Sequence, residues 1–271
     1  MRHGVVTGVR IALGLCLVAA GAQAQRGRGR PDFSQMLGDP NSYYTPPDFR
    51  GNEPYDGRFT FARIKYRGFA HFSREGPGWS HDYPRSESHL MRIMRDVTSI
   101  RPFIEDGPRM GGVIVALDSP ELFKYPVSYL SEPGGWFPNE KEIAGFRDYL
   151  LKGGFIIVDD FGGMSDWANF TAQLQRALPK AQLVQLTGKE PIFDAFFKID
   201  LNIIQRTYRG SPVYFGVYED NDPRKRLILV ANYNNDIGEY WEFSDQGFAP
   251  VPLSNEAYKI GVNYLVYALT H

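Results

Sequence analysis

From residue 59 onward, the apolar positions of this chain alternate between two spacings. The stretch Phe59-Thr60-Phe61-Ala62-Arg63-Ile64-Lys65-Tyr66 has period two, with Phe59, Phe61, Arg63 and Lys65 on one face and Ala62, Ile64 and Tyr66 on the other, which predicts a strand. Leu90, Ile93, Met94 and Val97 follow at helical spacing, a stripe that must face a core. Apolar runs at 112–118 and 155–158, with a shorter one at 125–130, read as strands buried on both faces, as in a parallel sheet. Between them Asn139 and Glu142 form the ends of a capping box, and Ile143, Phe146 and Leu150 make the buried stripe of a helix that Gly153 ends. A further helix at 165–178 buries Phe170, Leu174 and Ala177 and stops at Pro179, and 181–186 is another strand candidate. Residues 213–218 and 227–232 read as antiparallel strands across a turn-rich segment, and a helix at 255–269, capped by Ser254, closes the chain. The alternation predicts an α/β fold: a mainly parallel sheet sandwiched between helices, with an antiparallel hairpin at one edge.

The first residues follow neither spacing. Arg2 and Arg10 flank an apolar stretch at 11–20, and Ala22-Gln23-Ala24 has the small-x-small pattern of a cleavage site. Residues 1–24 therefore read as a signal peptide cut near Ala24, and the chain as exported to a periplasmic or extracellular space. The apolar stretch is far shorter than the roughly 20 residues that span a bilayer, so no transmembrane anchor is expected in the mature chain. Residues 25–57, rich in Pro, Gly and Arg, read as a flexible linker, and 58–271 as one domain.

Composition narrows the chemistry. Cys16 is the only cysteine and leaves with the signal, which removes disulfides, thiolate metal sites and cysteine nucleophiles. Lys and Arg number 30 against 31 Asp and Glu, and losing Arg2 and Arg10 leaves 28 against 31, a formal charge of −3. That balance gives no reason to expect nucleic acid as a partner. An envelope protein or a glycan is the expected class of ligand.

Open α/β sheets bind ligands outside the carboxyl ends of their strands. The central strand delivers Asp159 and Asp160 to that rim, the loop after the first strand brings Trp79, Ser80, His81, Asp82, Tyr83 and Arg85, and the second strand ends at Asp118. The cluster Asn232, Asn234, Asn235, Asp236 and Glu239 follows the hairpin strand toward the same place. Three readings fit. Asp82, Asp159 and Asp160, with His81, have the oxygen-rich chemistry that holds a hard divalent cation. Asp82 with Asp160 would make an acid/base pair for hydrolysis, because adjacent Asp159 and Asp160 point to opposite faces; His81 is the third catalytic candidate. In the structural reading Asp160 caps the following helix and Asp82 pairs with Arg85. Trp79 and Trp136, each in a Gly/Pro-rich loop, are candidates to stack on a ligand. The ligand-binding set is thus Trp79, Asp82, Tyr83, Arg85, Asp118, Trp136, Asp159 and Asp160.

Four segments carry a family resemblance: Phe61-Ala62-Arg63-Ile64-Lys65-Tyr66, Gly78-Trp79-Ser80-His81-Asp82-Tyr83-Pro84, the cap-helix-Gly-Gly-strand-Asp-Asp unit at 139–161, and Ala257-Tyr258-Lys259-Ile260-Gly261-Val262-Asn263-Tyr264. Together they resemble the bacterial family of domain of unknown function 4159 over residues 59–271. The resemblance implies a flavodoxin-like three-layer sandwich similar to class I glutamine amidotransferases, without their reaction, since the cysteine that reaction needs is missing. The leading expectation is a non-catalytic binding or assembly module of the cell envelope. The alternative is a cysteine-independent, metal-assisted hydrolase acting on a carbohydrate or other envelope component.

Overall fold

The two spacings resolve into seven strands and five helices among the described residues. The computed structural model describes residues 51–67, 77–103, 112–203 and 210–271, all within one compact unit. The strands are β1 (Phe61–Lys65), β2 (Gly112–Ala116), β3 (Val127–Ser131), β4 (Phe155–Phe161), β5 (Val184–Leu186), β6 (Val213–Tyr218) and β7 (Leu227–Tyr233). The helices are α1 (Arg85–Val97), α2 (Glu140–Leu151), α3 (Gly163–Ala177), α4 (Ile237–Glu242) and α5 (Val251–Thr270). The expected signal segment and most of the expected linker lie outside the described residues. No described helix is long and apolar enough to cross a membrane.

One sheet runs β2-β1-β3-β4-β7-β6-β5. The first five strands in that order are parallel, and β6 lies antiparallel to both β7 and β5. The predicted hairpin is thus β6–β7, but β7 sits inside the sheet against β4, and the short β5 takes the outer position.

Alternation in the central strand explains the layers. Ile156 and Val158 face a core made with Ile143, Phe146 and Leu150 of α2 and Phe170, Leu174 and Ala177 of α3. Phe155 and Ile157 face a second core built with Leu90, Met91 and Met94 of α1, Trp241 of α4, and Ala257, Ile260 and Tyr264 of α5. The result is a three-layer α/β sandwich with a mostly parallel sheet. Each fully buried aliphatic or aromatic side chain contributes about 1.5–3 kcal/mol through removal from water, so both faces of the sheet are held.

Local signals explain most boundaries. The Asn139 side chain accepts from Lys141 N and Glu142 N, while Glu142 accepts from Asn139 N, so α2 starts on the expected capping box. Helix α5 starts a turn earlier than its sequence suggests, with Pro250 in the cap position instead of Ser254. Its Pro252 falls in the first turn, where a missing N–H breaks no helical bond. Ahead of β1, Asn52 docks beside β2: its side chain accepts from Ile114 N at 2.9 Å and donates to Ile114 O at 2.8 Å. The chain is therefore held before the boundary expected at residue 58.

The order 2-1-3-4 positions the site. From β1 the chain moves outward to β2, then crosses back past β1 to β3. That reversal makes the carboxyl ends of β1 and β3 the topological switch point, the place where doubly wound sheets bind ligands.

Candidate functional site

Four parallel strands deliver acids to this rim. The connection after β1 brings His81 and Asp82, β3 runs into Glu132, β4 ends in Asp159 and Asp160, and β7 leads to Asp236. Ligating atoms of Asp82, Asp160 and Asp236 all lie within 4.8 Å of one another, as do those of His81, Glu132 and Asp160. The expected meeting of the His81-Asp82 stretch with the end of the central strand is what the structure contains. Asp160 is common to both groups.

Asp159 and Asp160 part company at a bulge. The pairing of β4 with β7 shifts register between Val158 and Phe161, and Asp160 takes a left-handed backbone with φ 59°. Asp159 turns toward α4. Its Oδ2 accepts from Tyr129 Oη at 2.7 Å and from Ile237 N and Gly238 N, both at 2.9 Å. Its Oδ1 accepts from Asn232 Nδ2 at 3.0 Å, and Asn232 in turn accepts from Tyr264 Oη. Asp159 is therefore the anchor of the first turn of α4, and Asp236 takes the place it was expected to hold beside Asp82 and Asp160. The Asp236 carboxylate also caps α4, accepting from Glu239 N at 3.0 Å.

Arg63 is what holds the His81-Asp82 stretch in place. Fully buried in β1, its guanidinium donates to Trp79 O at 3.0 Å, His81 O at 2.8 Å and Ser86 Oγ at 3.1 Å. Its charge is met by Glu87 of α1, and it lies 4.9 Å from the Tyr129 ring centroid. The planar fork of an arginine suits this bonding to several acceptors at once. Glu132 is fixed by Tyr66, whose hydroxyl donates to Ser131 O and Glu132 O at 3.0 and 2.6 Å. The Glu132 side chain then pairs with His81 Nδ1.

Two glycines make room for the carboxylates. A Cβ on Gly238 would lie 2.7 Å from both Asp82 Oδ2 and Tyr129 Oη, and one on Gly78 would collide with the Glu132 carboxylate. Asp82 (φ 63°), Glu132 (φ 46°) and Asp160 share the left-handed region. A non-glycine residue held there costs about 1–3 kcal/mol, and such residues concentrate at functional sites.

The electrostatics follow from burial. Asp82 is 8 % exposed and its Oδ2 has no hydrogen-bond partner. Burial raises its pKa well above the usual carboxylate range, with Asp236, Glu242 and Glu239 pushing the same way against Arg63. Asp159 is raised to about 6 by burial and by Asp236, an effect larger than the opposing hydrogen bonds from Tyr129, Asn232 and Gly238. Glu132, Asp160 and Asp236 are also buried.

Several expected ligand contacts lie elsewhere. Trp79 and Trp136 are 1 % and 0 % exposed, packed in the core on the α2–α3 side, and offer no face for stacking. Trp136 instead meets Phe146 at 5.0 Å between ring centroids. Arg85 pairs with Asp245 at 2.6 Å and not with Asp82. Tyr83 is half-buried against the core shared with α2 and α3. Asp118 is exposed beyond the end of edge strand β2 and belongs to neither group of acids. The N-cap of α3 is Gly162, and Asn234 Oδ1 accepts from the first helical N–H, that of Gly163, at 3.1 Å.

Sequence reasoning missed Glu132 and Arg63. Glu132 follows β3 directly and precedes Pro133-Gly134-Gly135, a strand-end signal like that of Asp159-Asp160. Arg63 carried a signal too, a cation in the middle of an apolar strand, which folds stably when paired.

Among curated proteins, none matches this chain. The profile of domain of unknown function 4159 covers residues 60–269, which includes every residue of both acid groups, and the chain belongs to that family.

Proposed function

We propose that this chain is an exported, cysteine-independent hydrolase whose centre is a divalent cation held by Asp82, Asp160 and Asp236. The observation that carries the reading is Asp82, whose buried Oδ2 has no partner and whose carboxylate meets those of Asp160 and Asp236 within 4.8 Å. Like charges confined in a buried site are costly unless a cation joins them or a proton neutralises one. Oxygen-only donors of this kind suit a hard cation such as Mg²⁺, Ca²⁺ or Mn²⁺.

Hydrolysis, more than passive binding, fits the neighbour of these acids. His81 belongs to the second group, which shares Asp160, and Glu132 fixes the orientation of its ring through Nδ1. A cation there would polarise a substrate oxygen and lower the pKa of bound water. An oriented imidazole beside it would carry the proton. With Trp79 and Trp136 buried, recognition would rest on oxygen atoms of a glycan or an anionic ester of the cell envelope. The amidotransferase likeness adds only a scaffold.

The test uses the full chain freed of metal by chelation. Added Mg²⁺, Ca²⁺ or Mn²⁺ should raise the melting temperature of the wild type, because a ligand of the native state stabilises it. Asp160→Asn should fold and show no such rise, and Asp82→Asn should fold and show a smaller one. On a panel of chromogenic esters, phosphoesters and glycosides, activity should need the cation and fall at least about 100-fold in Asp160→Asn. A wild-type melting temperature indifferent to every divalent cation would end the cation reading. Cation binding with no turnover would leave a binding module. Export is tested by the first residue of the mature protein, expected to be Gln25.

A further inference from the structure

Asp160 belongs to two ligand groups at once, and the two differ in chemistry. Asp82, Asp160 and Asp236 offer oxygens only, whereas His81, Glu132 and Asp160 offer one imidazole and two carboxylates. The first set suits hard cations; the second, with its nitrogen, suits Mn²⁺, Fe²⁺ or Zn²⁺. A carboxylate has two oxygens, and one that is shared between two sets of donors can serve a different ion with each.

From this arrangement we infer that the centre takes two divalent cations bridged by the Asp160 carboxylate. The inference rests on the cation reading above and goes beyond it in number, in the role of Asp160 and in the second set of ligands, where His81 serves as a ligand in place of a proton carrier.

Charge favours a pair over a single ion. The two groups together contain four carboxylates, Asp82, Glu132, Asp160 and Asp236. Ionised, the four carry a formal charge of −4, which two dications match and one does not. A cluster of acids alone would not point to a ligand. Here Asp82, a member of one of the two groups, is buried and has a carboxylate oxygen, Oδ2, without a partner.

The geometry also separates the roles of the donors. Asp236 and Asp82 belong to the first position only, His81 and Glu132 to the second only, and Asp160 to both. The His81–Glu132 pair must open or share its contact when the second position fills. The first position can fill without disturbing it.

The experiment counts Mn²⁺ on the chelator-treated full chain by equilibrium dialysis and reads its electron paramagnetic resonance. Two Mn²⁺ per chain with an exchange-coupled spectrum is the expected result. Asp236→Asn and His81→Ala should each keep one Mn²⁺ with an uncoupled spectrum, and Asp160→Asn should weaken both. Circular dichroism of each variant without metal checks its fold, and the wild-type count needs no variant. One Mn²⁺ per chain would overturn the pair while leaving a single-cation centre standing. Two uncoupled ions would overturn the bridge, and no bound Mn²⁺ would remove the pair and the cation reading together.

Discussion

Asp82 combines a left-handed backbone with a buried carboxylate oxygen that nothing satisfies. Its folded pKa is raised above the unfolded value, so whatever stability it lends is complete below the ordinary carboxylate range and is lost as pH rises through the folded pKa. Asparagine does not ionise and has an amide that can donate to neighbouring acids. Asp82→Asn should therefore melt at a higher temperature than wild type in chelator, by a margin that grows as pH rises above the carboxylate range. The same variant gives up the cation at its own position and so part of the cation response, a trade of function for stability that melting curves with and without Mn²⁺ would display. At this scale the sequence was informative where a residue closes a predicted strand. Asp160 was legible for that reason, His81 and Asp82 because their loop follows the first predicted strand, and Glu132 was missed because β3 was read as ending at Leu130. Trp79 and Trp136 were misjudged because Gly/Pro-rich flanks describe local backbone freedom and carry no information on which distant helix covers a ring.

The elements show how much of the site depends on one buried cation in β1. Removing Arg63 as Arg63→Met leaves Glu87 buried without its charge partner and the carbonyls of Trp79 and His81 without their donors. The expected loss is about 3–5 kcal/mol, measured by denaturant unfolding. Adding Glu87→Gln should recover the part due to the stranded charge. Mn²⁺ affinity should stay reduced in the double variant, since the guanidinium that ties the His81-Asp82 stretch to β1 is then gone. Helix α4 makes the complementary point. Six residues are too few to be helical alone, so neither propensity nor apolar spacing announces it. Asp159, arriving from the central strand, and the helix's own cap Asp236 satisfy its first N–H groups. The long strands and helices were legible because their periodicity is a property of their own residues. α4 and the early start of α5 were not, because tertiary contacts and proline at the first turn decide them.

For the whole molecule, strand order is the decisive feature. The alternation of strands and helices made the sandwich legible, and the crossing between β1 and β3 brings together acids far apart in sequence. The position of β5 outside the hairpin was not legible, since three weakly apolar residues do not say which neighbour they pair with. Asn52 bears on a different question, what the protein does in company. Ile114 pairs with Arg63 of β1 in a parallel register, so its outward N–H and C=O are unused by that ladder, and Asn52 takes both. Without it the flank of β2 would be an open template for a strand from a second molecule, the route by which sheets aggregate. A chain beginning at Arg58 should keep its fold and elute from size exclusion as larger species at raised concentration, while Asn52→Ala in the full chain should do so more weakly. A short stretch that reads as a tether thus works as a guard, keeping a single copy from becoming the seed of a stack.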